Sequence, residues 1–203
     1  MKLLLATTSA GKIREQRRVL SGLPVEIVSL AELGAEGPDD PDEPGPGFSD
    51  NARIKALYYH MATGLASIGE DSGLEVDALS GEPGVHSARW LGKDTSYEIK
   101  NRAILEELRS KRGDERAARF VSAVALAHRG RVIFETVGHC PGLIAEEPSG
   151  SGGFGYDPIF YYPELGSTLA AAAVEDKDRV SHRGRSMLSL RCFLEGWLEE
   201  AST

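Results

Sequence analysis

The sequence predicts an α/β fold in which helices flank one mixed β-sheet. Its first 30 residues alternate strand, loop, helix and strand, an order typical of parallel strand pairs. Two apolar runs in the middle of the chain are separated by Arg129-Gly130-Arg131, which predicts an antiparallel hairpin. A sheet that contains both kinds of pairing accounts for both observations.

The first elements can be read from apolar runs and the breaks between them. A buried strand is expected over 2–6, followed by a polar turn and a helix over 12–20. A second strand is expected over 25–30. Residues 34–47 collect glycine, proline and acidic residues, which predicts a surface loop.

A long helix is expected over 48–63. Ser49 or Asp50 lies near its start, and Gly64 is typical of a helix end. The apolar run 65–68 is interpreted as the end of a strand. The acidic residues that follow are therefore expected to begin a turn.

The second half of the chain predicts a helix, the hairpin and a final helix. The helix is expected over 95–110, because Thr95 and Glu98 have the spacing of a capping box. The hairpin strands are expected over 120–128 and 132–138.

The last helix has the clearest amphipathic pattern in the sequence. Apolar residues recur at helical spacing on one face, which predicts that this face packs on the core. They are Met187, Leu190, Leu194 and Trp197, with Phe193 and Leu198 widening the face.

Composition limits the domain organisation and the partners. Of the 203 residues, 41% are hydrophobic and 27% charged, so residues 1–203 are expected to form a single domain with two intimate lobes. The formal charge of −8 argues against binding to nucleic acid or to anionic membranes, which requires a basic surface. A small phosphorylated ligand stays compatible, because it needs only a local cationic pocket.

The chain is expected to work in the cytoplasm. Its apolar start turns polar at Thr7, so no signal peptide is expected. No run approaches the roughly 18–20 apolar residues that cross a bilayer. Cys140 and Cys192 lie far apart in sequence, which suggests neither a disulfide framework nor a thiolate zinc site.

An acidic block is the most informative part of the sequence. Glu70, Asp71, Glu75 and Asp77 fall within eight residues, around an Asp-Ser-Gly step. Magnesium prefers oxygen ligands and often uses one or two carboxylates together with substrate phosphates. Asp71 is therefore the first candidate for a metal-linked or proton-accepting carboxylate, with Glu70 beside it. A polar turn with solvated acids is the alternative.

Two segments are candidates for phosphate binding. The turn 7–12 joins a strand to a helix, exposes backbone N–H groups and ends on Lys12. It lacks the glycine spacing of a Walker P-loop, and an ordinary capped helix is the alternative. Asn51 and Lys55 lie one turn apart on the next helix, as either a phosphate-facing pair or a solvated one.

A glycine-rich segment over 150–158 is a candidate for binding a flat ring. Glycines surround Phe154 and Tyr156 there, which leaves open space beside two aromatic rings. A plain flexible loop is the alternative. His182 and Arg183, further along the chain, are adjacent donors for a ring carbonyl or a phosphate.

Taken together, these blocks resemble the inosine/xanthosine triphosphate pyrophosphatase family over nearly the whole chain. Each block is modest alone, and their joint occurrence in this order is specific. The matching blocks are Ala6-Thr7-Thr8-Ser9-Ala10-Gly11-Lys12, Phe48-Ser49-Asp50-Asn51-Ala52 with Lys55-Ala56, Asp71 to Leu79, Pro83-Gly84-Val85 with Ser87-Ala88-Arg89, Gly152 to Pro158, and Ser181-His182-Arg183-Gly184.

The resemblance implies an elongated α/β fold of two lobes around a central cleft, usually as a homodimer. It implies Mg²⁺-dependent attack of water on the α-phosphorus of a purine nucleoside triphosphate, giving the monophosphate and pyrophosphate. Inosine and xanthosine carry an oxygen where adenine carries an amino group, so a pocket of donors would favour the oxo-purines.

The resemblance also implies a role for individual residues. Asp71 is implied as proton acceptor and metal-associated acid, Glu43 and Glu70 as further metal-site acids, and Ser72 as a substrate contact. The phosphates are implied to be held by Thr7, Thr8, Ser9, Ala10, Gly11, Lys12 and Lys55. The base is implied to stack on Phe154 in a pocket completed by Gly155, Tyr156, Asp157, Lys177, His182 and Arg183.

Four positions depart from the family pattern, which usually has Asn at Ser9, Glu at Asp50, Asp at Glu70 and an acid at Ala171. These departures leave two other hypotheses open. One is a nucleotide sensor that has lost catalysis, and the other is a hydrolase that prefers a modified pyrimidine nucleotide or a diphosphate.

Overall fold

The computed structural model describes residues 1–34 and 41–201 of the chain. Residues 35–40, in the middle of the predicted loop, lie outside the described residues. The described residues 41–45 of that loop have no regular secondary structure.

The described part of the chain contains seven strands. They are β1 (Lys2–Ala6), β2 (Glu26–Ser29), β3 (Ala66–Val76), β4 (Ala117–His128), β5 (Arg131–Ile144), β6 (Phe160–Tyr162) and β7 (Ser167–Thr168). They form one sheet in the order β2-β1-β3-β4-β5-β6-β7. β1 pairs in parallel with β2 and β3, whereas β6 pairs antiparallel with β5 and β7, which confirms the predicted mixed sheet.

Five α-helices accompany the sheet in the described residues. They are α1 (Ala10–Val19), α2 (Phe48–Thr63), α3 (Tyr97–Glu107), α4 (Val174–Val180) and α5 (His182–Ala201). Among the described residues, no helix combines the length and the apolar character needed to span a membrane.

The chain divides into two compact units. The first comprises Met1–Asp71, Ser122–Gly138 and His182–Thr203, and the second comprises Ser72–Val121 and His139–Ser181. The interpretation of residues 1–203 as a single domain stays a prediction.

In the first unit, helices cover both faces of β1. Leu3 and Leu5 pack with Met187 of α5, whereas Leu4 packs with Tyr59 of α2. Successive side chains of a strand point to opposite faces, so α5 and α2 cover opposite sides of the sheet. The predicted apolar face of α5 is confirmed, since three of its four residues are completely buried.

In the second unit, α3 packs on a core rich in aromatic side chains. Ile104 of α3 is completely buried in this core, together with Leu108 just after the helix. The rings of Phe120 and Phe160 have their centroids 4.5 Å apart. This core holds the segment that follows β5 against the sheet strands of the same unit.

Helix α2 has the predicted bounds, and the hairpin has the predicted position. Gly64 ends α2 with a φ of 71°, in the left-handed region that favours glycine. The turn between β4 and β5 has positive φ at Arg129 and Gly130, as a type I′ hairpin turn requires. Both hairpin strands extend further than predicted, to 117–128 and 131–144.

The predicted turn at Asp71-Ser72-Gly73 is wrong. β3 continues through these residues to Val76. The strand lies between β1 and β4 in the sheet, so it is paired along both edges. This pairing outweighs the local preference of a Ser-Gly step for a turn.

The starts of α1 and α3 also differ from the prediction, since α1 begins at Ala10 and α3 at Tyr97. Ser96, not Thr95, caps α3, and its hydroxyl accepts a hydrogen bond from the Ile99 N–H. The Thr95 hydroxyl instead donates to the Leu91 carbonyl at 2.6 Å. At the end of the chain, α5 begins at His182, so Arg183 and Arg185 lie in the first turn of that helix.

Candidate functional site

In the first unit, polar residues collect at the carboxyl end of β1. The parallel register pairs Ala6 of β1 with Gly69 of β3. The turn that follows Ala6 therefore lies next to the acidic residues that follow Gly69. Ligands of open α/β sheets bind at such carboxyl ends. This edge is therefore the starting point for the site.

The turn after β1 is organised by its own hydroxyl groups. The Thr7 hydroxyl accepts a hydrogen bond from the Ser9 N–H at 3.2 Å, and the Ser9 hydroxyl accepts one from the Lys12 N–H at 3.5 Å. The first turn of α1 contains no acidic residue. The positive end of the helix dipole is thus available to an anion.

Glu70 is the centre of a buried hydrogen-bond network. Its Oε1 accepts from Arg183 Nε at 2.9 Å and from Ser122 Oγ at 3.0 Å, and its Oε2 accepts from Gln16 Nε2 at 2.7 Å. Arg183 also donates through Nη1 to Glu15 at 2.6 Å. All of these side chains are buried, so they hold a fixed arrangement beneath the turn.

Electrostatics keep this network ionised. Burial alone would raise the pKa of Glu70, but the Arg183 and Lys12 charges outweigh it and hold that pKa below its ordinary value. Burial would lower the pKa of Arg183, and Glu70 and Glu15 together raise it above its ordinary value. Arg183 is therefore a permanent cation in the folded protein.

Lys12 lies at the rim of the network. Its Nζ is 3.8 Å from Glu70 Oε2. Burial lowers the pKa of Lys12, Glu70 opposes that effect, and the nearby Arg183 and Lys55 charges reinforce it. A polyanion at this position would relieve the repulsion between the cations.

Asp71 points to the other face of β3, toward α2. Its Oδ2 accepts a hydrogen bond from Asn51 Nδ2 at 3.0 Å, and its Oδ1 lies 3.5 Å from Lys55 Nζ. The same ammonium lies 2.9 Å from Glu43 Oε1 and donates to the Glu70 carbonyl at 3.2 Å. Glu70 and Asp71 thus belong to different clusters, because successive side chains of a continuous strand point to opposite faces.

The close packing of α2 on β3 depends on Gly69. A Cβ at this position would collide with the Ala52 carbonyl and the Ala56 N–H of α2. Only glycine allows the helix to lie this close to the strand. The side chains of Asn51 and Lys55 consequently reach Asp71.

The Asp71 cluster fits a hard divalent cation. Two carboxylates share one ammonium, which leaves one negative charge in excess. The atoms that could bind a metal are carboxylate oxygens, which hard cations prefer. No group of three or more His, Cys, Asp or Glu side chains in the described residues could hold a metal alone. A pair of carboxylates is nevertheless the usual protein share of a Mg²⁺ site that is completed by substrate phosphates.

Glu70 fits that role less well than Asp71 and Glu43. Its side chain is completely buried, and both of its oxygens already have protein donors. Its predicted role as a metal-site acid stays a prediction. What the geometry adds is a second role, in which Glu70 holds Arg183 and Gln16.

In the second unit, Asp157 organises the glycine-rich segment. Its Oδ2 accepts from Lys177 Nζ at 2.6 Å and from the Phe154 N–H at 2.7 Å. Lys177 Nζ lies 5.1 Å from the centroid of the Phe154 ring. Gly153 has a φ of 68°, and a Cβ there would collide with the Asp157 carboxylate. The four residues form one compact arrangement.

Tyr156 is packed differently from Phe154. Its ring is buried in the core, and its hydroxyl donates to the Ser87 carbonyl at 2.9 Å. It meets Tyr97 edge to face, with ring centroids 5.1 Å apart. Burial raises the pKa of Tyr156. These contacts suit a residue that supports the segment, whereas the ring of Phe154 is only half-buried.

The predicted site residues divide between the units. The first unit contains Thr7, Thr8, Ser9, Ala10, Gly11, Lys12, Glu43, Lys55, Glu70, Asp71, His182 and Arg183. The second contains Ser72, Phe154, Gly155, Tyr156, Asp157 and Lys177.

Sequence reasoning missed Glu15, Gln16 and Ser122. The two α1 residues carried a usable signal, since Glu15 lies three positions after Lys12 and so shares its helix face. Ser122 carried none, because its neighbours in β4 are apolar and its contact with Glu70 spans 52 positions.

Comparison with known proteins finds relatives that match nearly the whole chain. A dITP/XTP pyrophosphatase from Thermus thermophilus is 45% identical over 197 residues, which are 97% of this chain and 92% of the relative. A dITP/XTP pyrophosphatase from Escherichia coli O157:H7 is 42% identical over 188 residues, or 92% of this chain and 94% of the relative.

Solved structures show the same fold. A HAM1 protein from Coxiella burnetii superposes with a TM-score of 0.84 at 34% identity, covering 97% of this chain and 99% of that one. A nucleoside-triphosphatase / dITP/XTP pyrophosphatase from Mycobacterium abscessus gives 0.72 at 41% identity, covering 94% and 98%. The Ham1 family matches residues 3–193, and the chain belongs to this family.

Proposed function

We propose that this protein hydrolyses non-standard purine nucleoside triphosphates, namely dITP, XTP and ITP, to the monophosphate and pyrophosphate with Mg²⁺. The proposal is carried by the near full-length similarity to relatives named dITP/XTP pyrophosphatase. The paired carboxylates at Lys55 and the cationic rim at Lys12 support it.

The triphosphate would bind at the carboxyl end of β1. The N–H groups at the start of α1 and the Lys12 ammonium offer donors to phosphate oxygens. Lys55 would exchange part of its contact with Glu43 and Asp71 for a phosphate oxygen. Binding of the polyanion would also favour the charged form of Lys12, whose pKa is lowered in the free protein.

Asp71 and Glu43 would hold the Mg²⁺ ion. When bound, the ion neutralises charge on the phosphates and makes the phosphorus more electrophilic. Asp71 would accept a proton from the attacking water as the water oxygen bonds to the α-phosphorus. The bond from that phosphorus to the bridging oxygen breaks, and pyrophosphate leaves with its electron pair.

Phe154 would stack on the base, and Lys177 would supply a donor near that ring. A 6-oxo purine accepts a hydrogen bond from such a donor, whereas the 6-amino group of adenine leaves it unpaired. Asp157 would hold both groups in place through its contacts with Lys177 and the Phe154 N–H. His182 and Arg183 complete the proposed set of donors.

A substrate panel with product identification tests the proposal. With Mg²⁺, we expect pyrophosphate and the monophosphate from dITP, XTP and ITP, at rates well above those for dATP and dGTP. Removal of divalent ions with EDTA should abolish turnover, and added Mg²⁺ should restore it. Release of orthophosphate instead of pyrophosphate would refute the reaction.

The same panel separates the alternatives. Tight ITP binding without hydrolysis over hours would identify a nucleotide sensor, and preference for a modified pyrimidine nucleotide or a diphosphate would identify a different hydrolase. We further propose a cytoplasmic homodimer. Light scattering on the purified protein tests the dimer, and a monomer mass would exclude it.

A further inference from the structure

Asn51 of α2 is completely buried, and both ends of its amide are used. Nδ2 donates to Asp71 Oδ2 at 3.0 Å, and Oδ1 accepts from the Gly45 N–H at 2.9 Å. A single amide therefore joins the carboxylate on β3 to the backbone of the segment that carries Glu43. Few side chains can replace it, because the contact needs a donor and an acceptor at once.

The backbone at Gly45 is shaped for this contact. A Cβ at Gly45 would lie 2.5 Å from Asn51 Oδ1 and 2.7 Å from Asp50 Cβ. Gly45 is not among the residues with positive φ, so its backbone conformation alone does not require glycine. The close approach to Asn51 accounts for a glycine at this position.

We infer that Asn51 is a positioning residue that assembles the cation site from Asp71 and Glu43. The inference rests on the proposed function for the identity of the ion. By occupying Oδ2, the Asn51 amide leaves Oδ1 of Asp71 directed at Lys55, the same ammonium that Glu43 contacts. By holding Gly45, the Asn51 amide also keeps Glu43, two residues earlier, on the side of α2 where Lys55 and Asp71 lie.

Gly69 gives this arrangement its rigidity. At Gly69 the backbone of α2 lies directly against β3, with no side chain between them. The helix therefore has no room to shift toward the strand, and Asn51 and Asp71 keep a fixed separation. A buried partner that orients a metal ligand typically changes metal affinity by about 10- to 100-fold when it is removed.

Mn²⁺ binding, measured by electron paramagnetic resonance on the full-length protein without nucleotide, tests the inference. We expect Asn51→Ala to weaken Mn²⁺ binding about 10- to 100-fold. Gly45→Ala should weaken it as well, because the new methyl group displaces the amide that Asn51 presents. The loss of Mn²⁺ affinity in the double variant should be smaller than the sum of the losses in the two single variants, since both changes act through one contact.

Asn101→Ala is the matched control. Asn101 is also a buried helical asparagine, and its Nδ2 donates to the Gly155 carbonyl at 3.2 Å in the second unit. It should lose thermal stability to a similar degree while keeping its Mn²⁺ affinity within about twofold. A general loss of packing would lower the Mn²⁺ affinity of both variants equally, whereas a positioning role lowers it only in Asn51→Ala.

The outcomes separate this inference from the proposed function. Unchanged Mn²⁺ affinity in Asn51→Ala and Gly45→Ala, or no Mn²⁺ binding by the wild type, would overturn the positioning role. The wild-type substrate panel decides the proposed reaction independently. If Asn51→Ala fails to fold, the Mn²⁺ affinity of Gly45→Ala decides whether Asn51 has a positioning role, because that variant keeps the buried Asn51 amide.

Discussion

Glu70 and Asp71 are neighbours in sequence with opposite surroundings. Glu70 is enclosed by Arg183, Ser122 and Gln16, whereas Asp71 keeps a small exposed surface beside Lys55. A carboxylate with several buried donors is suited to structure, and one beside a partly exposed ammonium is suited to exchange partners with a ligand. The two acids should therefore respond differently to neutral substitutions.

Glu70→Gln should destabilise the fold. The change removes one of the carboxylates that the buried Arg183 cation contacts, while Glu15 stays in place, and breaking a buried ion pair costs about 3–5 kcal/mol. Urea denaturation measures the loss. Glu135→Gln, which removes an exposed partner of Arg53, should cost no more than about 1 kcal/mol. Equal, small losses in both variants would contradict the role assigned to the buried pair.

Asp71→Asn should have the opposite profile. The amide keeps the shape and can still accept from Asn51, so the melting temperature should change little. Turnover of dITP should fall by about 100- to 10,000-fold, because the group can no longer accept a proton. Steady-state kinetics with pyrophosphate detection measure the effect. Retained turnover would remove Asp71 from the reaction.

At the level of elements, the contact between α2 and β3 determines the site geometry. Asn51 and Lys55 lie one turn apart on α2, and both reach Asp71 because Gly69 brings the helix close to the strand. A helix held further away would leave the acids of β3 without these partners. The glycine thus shapes the candidate site without offering any side chain.

Gly69→Ala tests this contact. The added methyl group would meet backbone atoms of α2, which cannot turn aside as a side chain could. We expect a loss of about 1–3 kcal/mol in unfolding free energy and a weaker Mn²⁺ affinity. Gly196→Ala in α5 is the control, since a Cβ there meets no atom of the described residues within 4 Å and should stabilise the helix by about 1 kcal/mol. Normal metal binding in Gly69→Ala would refute the contact's role.

For the whole molecule, stability should depend on pH in the mildly acidic range. His128 packs edge to face with Trp197, and its buried Nδ1 has no hydrogen-bond partner among the residues that the structure describes. Burial lowers the pKa of His128, and the Arg129 and His60 charges add to that effect. The unfolded chain then binds this proton more readily than the folded protein, so stability is lost as pH falls through the ordinary value near 6.5.

His128→Phe should reduce this acid sensitivity. Phenylalanine keeps a ring against Trp197 and removes the titrating group. Melting temperatures at about pH 7.5 and about pH 5.5 should differ less in the variant than in the wild type. An equal or larger drop in the variant would show that His128 does not carry the effect.

Much of the fold could be predicted from local patterns. The bounds of α2 follow from the polar residues near its start and the glycine after it, and the buried face of α5 follows from the spacing of its apolar residues. The prediction at β3 was wrong because a Ser-Gly step favours a turn locally, whereas pairing on both edges of the strand favours extension.

The candidate site was predicted through resemblance more than through local pattern. Glu43 lies in a segment rich in proline and acids, where no spacing distinguishes it from its neighbours. Glu15 and Gln16 are buried polar residues of α1, and their partners lie far away along the chain. Helical spacing places Glu15 on the same face of α1 as Lys12, but nothing local indicates that its carboxylate is buried and paired with Arg183.

The amino-acid order by itself determined the helices and strands with strong periodicity, the family blocks and the residue types available for phosphate and metal chemistry. Only the tertiary structure decided which of those side chains meet. Arg183 and Glu70 are 113 positions apart, and their contact exists because β3 and α5 pack together in the first unit. Such contacts depend on how distant elements pack, and periodicity within one element carries no record of its neighbour.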